Sequence, residues 1–179
     1  IKGLVELGYK IDWLTIPSND SVVKRTDEEY DFMQEVKIIK TDDNNIYKHI
    51  TRNRKNNSLK TELRKIYHWV NIYDYTYYIA KRFDIKKLPE IEYEYLITVS
   101  DPKTSHILGK KLIKEGLRVK KWFQYWGDPL RGDITRKKLY PDFILGIFEE
   151  NLIKDSDKIV YTSPFTLKEE KIYHPKQSK

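Results

Sequence analysis

The feature that most constrains this chain is alternation: short, apolar, β-prone runs take turns with helical patterns, and no hairpin dipeptide lies between two strands. The strand candidates are 11–16, 36–39, 95–100, 119–126 and 158–161, and the first runs into the turn formers Pro17, Ser18, Asn19, Asp20 and Ser21. Between them, Leu4, Val5 and Leu7 share a helical face that stops at Gly8. Leu59, Leu63, Ile66, Val70, Tyr73, Tyr77 and Ala80 recur at steps of four and three, which predicts one long helix over 58–83 with Ser58 as its cap. Asp101 and Pro102 open a helix that runs to Gly116, and Pro141 opens another with Ile144, Ile147, Phe148 and Leu152 inward. The polar run 51–57 reads as a loop.

Alternation without hairpins implies a mainly parallel sheet covered on both faces, a three-layer αβα domain of Rossmann-like α/β class. With 179 residues, 39% of them hydrophobic and 34% charged, the chain suits one such domain. Disulfides, thiolate metal sites and cysteine nucleophiles are excluded by the absence of cysteine. No apolar run reaches the roughly 18 to 20 residues that span a bilayer, and the start carries no signal pattern, so a cytoplasmic location is expected. The net charge of +7 invites anionic partners without choosing among them.

In a parallel sheet, ligands meet the carboxyl ends of the strands, so the functional residues are expected just after them. After the strand at 95–100, Ser100, Asp101, Lys103, Thr104 and Ser105 offer hydroxyls and amides at a helix start, where an anion or sugar hydroxyl is favoured and plain capping is the competing use. His106, just inside that helix, reads as a packing or surface residue. After the strand at 119–126 comes Gly127, Asp128, Pro129, Leu130 and Arg131, a loop by its turn residues. Thr162 and Ser163 follow the last strand. Trp126 has a face suited to a sugar ring, but it shares a strand face with Trp122, where core packing competes. Arg131, Arg136, Lys137 and Lys138 could meet a phosphorylated lipid or an anionic membrane surface. Asp155, Ser156 and Asp157 match a metal-binding Asp-x-Asp pattern but precede a strand instead of following one, so they read as a turn and no metal is expected.

The segment 95–164 resembles the amino-terminal domain of GT-B glycosyltransferases, especially the large retaining group called family 4. The resemblance rests on the order of Thr98-Val99-Ser100-Asp101-Pro102, Trp126-Gly127-Asp128-Pro129-Leu130, Glu149-Glu150 and Asp157-Lys158-Ile159-Val160-Tyr161-Thr162-Ser163. The opening Gly3 to Ile11 is similar to that family's junction of first helix and second strand. Gly127 and Leu130 depart from it, standing where arginine and tryptophan are frequent.

The resemblance implies a single acceptor-side domain over 1–179. A central first strand would lie before Ile1, and a carboxy-terminal nucleotide-sugar domain after Lys179. Direct pairing of the strand at Ile11 with the strand at Tyr95 would contradict the first of these. It further implies transfer of a sugar from a nucleotide-sugar donor to a glycan or lipid-linked acceptor in surface polysaccharide assembly. The donor acts as co-substrate, this domain alone is inactive and holds no cofactor, and the enzyme sits in the cytoplasm at the inner face of the membrane. Asp128 is the candidate catalytic residue, since a carboxylate suits charge developing at the sugar ring. Two alternatives stand beside this. A basic nucleic-acid-binding module would need aromatics interleaved with its basic residues, and here they lie on strands and helix faces, so no nucleic-acid partner is expected. A nicotinamide-dependent Rossmann-like enzyme would need a Gly-x-Gly-x-x-Gly loop, which 1–179 lacks.

Overall fold

A computed structural model describes residues 1–15, 27–41, 62–63, 65–66, 69–73, 76–100, 102–131 and 139–175. The fold is α/β and Rossmann-like, with parallel strands and alternating helices. Helix α1 (Lys2–Glu6) ends before Gly8, whose φ of 81° is the left-handed conformation expected of a glycine just past a helix. Strand β1 (Ile11–Thr15) follows, then a 3-10 segment (Asp27–Glu35) and β2 (Val36–Lys40), which pairs with β1 in parallel register, Trp13 opposite Ile38.

The long helix expected over 58–83 is interrupted. Residues 62–63, 65–66 and 69–70 are helical, Asn71 to Tyr73 are not, and α2 (Tyr77–Arg82) begins anew. Asn71 and Thr76 are of residue types whose short polar side chains compete for local backbone groups, and the aromatics around them lose rotamer freedom in a helix, so apolar spacing alone overstates its continuity. Ser58 and the polar run 51–57 lie outside the described residues, as does the turn after β1.

Beyond α2, the chain forms β3 (Tyr93–Val99), α3 (Thr104–Lys114), β4 (Val119–Trp126), α4 (Asp142–Ile153), β5 (Lys158–Tyr161) and α5 (Pro164–Tyr173). The order β3-β4-β5 is all parallel, with Val99 opposite Tyr125 and Tyr125 opposite Val160. Strands β1 and β3 belong to separate sheets, with no ladder between them among the described residues. They approach through the Tyr93 hydroxyl, which donates to Asp12 Oδ2 at 2.5 Å, and through the rings of Tyr9 and Tyr95, 6.1 Å apart.

The core lies on one face of the strands. Ile39, Phe83 and Leu112 pack with Leu14 and Leu108, so α3 shares one cluster with β1 and β2, while Trp126, Leu152, Ile153 and Ile159 join α4 to β4 and β5. Gln124, fully buried on this face, is satisfied at both ends: its amide donates to the Leu152 carbonyl and its oxygen accepts from the Trp126 indole. The opposite face of β3, β4 and β5 carries Tyr95, Ile97, Val99, Tyr125 and Val160, each at least 40% exposed.

Candidate functional site

The carboxyl ends of β3, β4 and β5 are stitched together at Gly127. Its N–H donates to Ser100 Oγ at 2.6 Å, and its carbonyl accepts from Thr162 Oγ1 at 3.0 Å. Parallel strands make this possible, because their carboxyl ends lie at one edge of the sheet. Asp128 stands exposed on the same rim, one residue past that junction.

The other expected site residues divide by burial. Ser100, Lys103 and Thr104 are 7%, 6% and 3% exposed and serve the inside of the turn into α3. The Ser105 hydroxyl donates to the Val99 carbonyl, and Ser163 caps α5 by accepting from Phe165 N at 3.1 Å. Asp101, Arg136, Lys137 and Lys138 lie outside the described residues. Trp126 is a correction. It is fully buried, its ring stacks on His106 at 4.5 Å, and its face is therefore core and offers nothing to a sugar.

Of the two uses open to it in the sequence, surface or packing, His106 takes the second: it is fully buried and 2.8 Å from Thr98 Oγ1 through Nδ1. Thr98 Oγ1 also accepts from the Trp122 indole and reaches the Phe123 carbonyl. Burial first, then the nearby Lys103 charge, pushes the His106 imidazole down to about 3, so it is neutral. Asp155, Ser156 and Asp157 form the turn from α4 to β5: Asp155 pairs with Lys110 at 2.8 Å, and Asp157 accepts from Trp122 N at 2.7 Å.

Beneath the rim lies a polar cluster. Glu149 of α4 is 1% exposed, and its two oxygens accept from the backbone N–H groups of Leu130 and Arg131, fastening the loop after β4. His174 Nε2, just past α5, lies 3.2 Å from Glu149 Oε2 and 3.6 Å from Glu170 Oε2. The terminus of α5 thus packs inward at His174, which is 6% exposed. Arg131 is half-buried, its guanidinium 4.0 Å over the Tyr173 ring and its Nε without a hydrogen-bond partner. Glu170 is 3% exposed with neither carboxylate oxygen hydrogen-bonded. Burial, then the Glu149 charge, pushes its carboxyl up to about 8 against the opposing pull of Arg131. The Tyr161 hydroxyl is raised by burial and by the same two glutamates.

Glu149 enters the sequence reading only as part of a motif, and Glu170 and His174 do not enter it. Their i,i+4 spacing on α5 is the one local signal, and it is common on solvated helices. Comparisons with protein-family models, curated proteins and solved structures return no match for this chain.

Proposed function

We propose that this chain is the acceptor-side domain of a glycosyltransferase that moves a sugar from a nucleotide-sugar donor to a glycan or lipid-linked acceptor in surface polysaccharide assembly, at the cytoplasmic face of the membrane. The observation that carries the reading is the rim itself: three loops after parallel strands converge on Gly127 and leave Asp128 exposed beside it. In this reading Asp128 takes a proton from the acceptor hydroxyl or balances positive charge developing at the sugar ring, while a second domain holds the donor. Glu149 supports that role from below by holding the Leu130 and Arg131 backbone. An apolar groove lined by Leu63, Ile66, Val70, Tyr73, Tyr77 and Tyr140 suits the hydrocarbon part of a lipid-linked acceptor. No helix among the described residues is long and apolar enough to cross a membrane.

The test is transfer of labelled sugar from a panel of nucleotide sugars to membrane lipid and glycan extracts by the natural full-length protein. Asp128→Ala is expected to lower turnover about 100-fold with an unchanged circular dichroism spectrum. Unchanged turnover would remove Asp128 from the mechanism, and absence of transfer with every donor would remove the reading.

A further inference from the structure

The cluster below the rim has the composition and spacing of a metal site. Imidazole nitrogen with two carboxylate oxygens is a donor set suited to Zn2+ or Mn2+, whereas Mg2+ and Ca2+ favour oxygen alone. Bonds of about 2.0 to 2.2 Å to a single ion place neighbouring tetrahedral ligands roughly 3.3 to 3.6 Å apart. His174 Nε2 lies 3.2 Å from Glu149 Oε2 and 3.6 Å from Glu170 Oε2, and the three donor atoms all fall within 4.8 Å of one another.

Glu170 supplies a separate reason to look for an ion. A carboxylate that is 3% exposed and lacks any hydrogen-bond donor on either oxygen is an expensive group to bury, and proteins resolve that with a cation or a proton. Glu149 differs, because backbone N–H groups from Leu130 and Arg131 already satisfy it while Oε2 still points at His174. The rival cation is Arg131, yet its guanidinium is turned onto the Tyr173 ring and makes no hydrogen bond to Glu170 among the described contacts.

We propose that Glu149, Glu170 and His174 bind one divalent transition-metal ion, Zn2+ before Mn2+, which fastens α5 to α4 under the rim. The ion's role is structural, and the inference stands whether or not the chain transfers sugar. Coordination replaces the contact of His174 with the two carboxylates by three bonds to one centre, so the ion adds stability to the folded chain only.

The experiment is calorimetric titration of chelator-treated protein with ZnCl2, MnCl2 and MgCl2, followed by thermal melts and by visible absorption after loading with Co2+. Zn2+ is expected to saturate at one ion per chain, raise the melting temperature, and bind far more tightly than Mg2+, with Co2+ giving the intense bands of a low-symmetry site. Glu170→Gln keeps the shape and removes a buried carboxylate whose oxygens accept no hydrogen bond, so the metal-free variant should melt no lower than the parent. It should also lose at least tenfold in Zn2+ affinity together with the Co2+ bands. A parent that binds no Zn2+ saturably, or a Glu170→Gln variant that binds it equally, overturns the proposal.

Discussion

His106 shows how one buried side chain sets a dependence on pH. Its Nδ1 faces Thr98 Oγ1, its ring stacks on Trp126, and its Nε2 has no partner. The arrangement therefore accepts a neutral ring and penalises a charged one. With a pKa of about 3 in the folded chain against 6.5 ordinarily, the imidazole takes up its proton in the unfolded chain first. The contribution to stability is complete above pH 6.5 and drains away as pH falls toward 3, by up to about 1.4 kcal/mol per unit. His106→Phe keeps the stacking and removes the titration. In urea unfolding at pH 7.5 it is expected to be less stable than the parent by about 1 kcal/mol, from the lost Thr98 bond. That gap should close and reverse by pH 4.5, and a gap independent of pH would mean that this imidazole is not held neutral by its surroundings.

Among the elements, α3 lies close against the sheet, and a glycine makes the approach possible. A Cβ at Gly109 would sit 2.7 Å from Thr98 Cγ2 and 3.3 Å from the Trp122 indole nitrogen. Gly109→Ala gains about 1 kcal/mol of helix propensity and still should destabilise the chain by roughly 1 to 3 kcal/mol, because the helix must move off Thr98 and Trp122. A lower melting temperature checks this, and a higher one would show that α3 has room to shift. Elements whose signal is local were legible in the sequence. Strands β4 and β5 keep their expected bounds, Gly8 and Gly116 close their helices with positive φ, and the parallel class follows from alternation. What was not legible depends on distant partners. The break at Asn71 to Tyr73 is hidden behind continuous apolar spacing. Likewise, the use of Glu149 as an acceptor for Leu130 N, or of Trp126 as a platform for His106, is settled by which helix packs on which strand. Rim position was legible after each strand; the direction of each side chain was not, which is why Ser100 and Thr104 turn out to be internal.

Across the whole molecule, the three-stranded sheet buries one face and leaves the other exposed among the described residues. Alternation predicts coverage of both faces, and the helices α3 and α4 supply one. Tyr95, Ile97, Val99, Tyr125 and Val160 lie side by side on the other, fixed there by the register of Val99, Tyr125 and Val160. Strands β1 and β3 meet only through side chains, the Tyr93 hydroxyl on Asp12 and Tyr9 against Tyr95, so each retains a ladder edge among the described residues. A contiguous apolar face of this kind on a folded monomer marks a surface that binds other apolar matter. The 179-residue chain is therefore expected to enhance the fluorescence of anilinonaphthalene sulfonate while keeping a cooperative melt and native near-ultraviolet dichroism, which separates an open native face from a molten one. Replacing Ile97 and Val99 together by threonine retains strand preference and removes apolar surface without touching the core side of β3. That variant should lose most of the dye signal and shift the unfolding free energy by no more than about 1 kcal/mol, since the replaced side chains are 46% and 50% exposed. Unaltered dye fluorescence would place the bound dye elsewhere, in the groove beside Tyr73 and Tyr77, whereas a large loss of stability would mean that this face of β3 is covered in the folded protein.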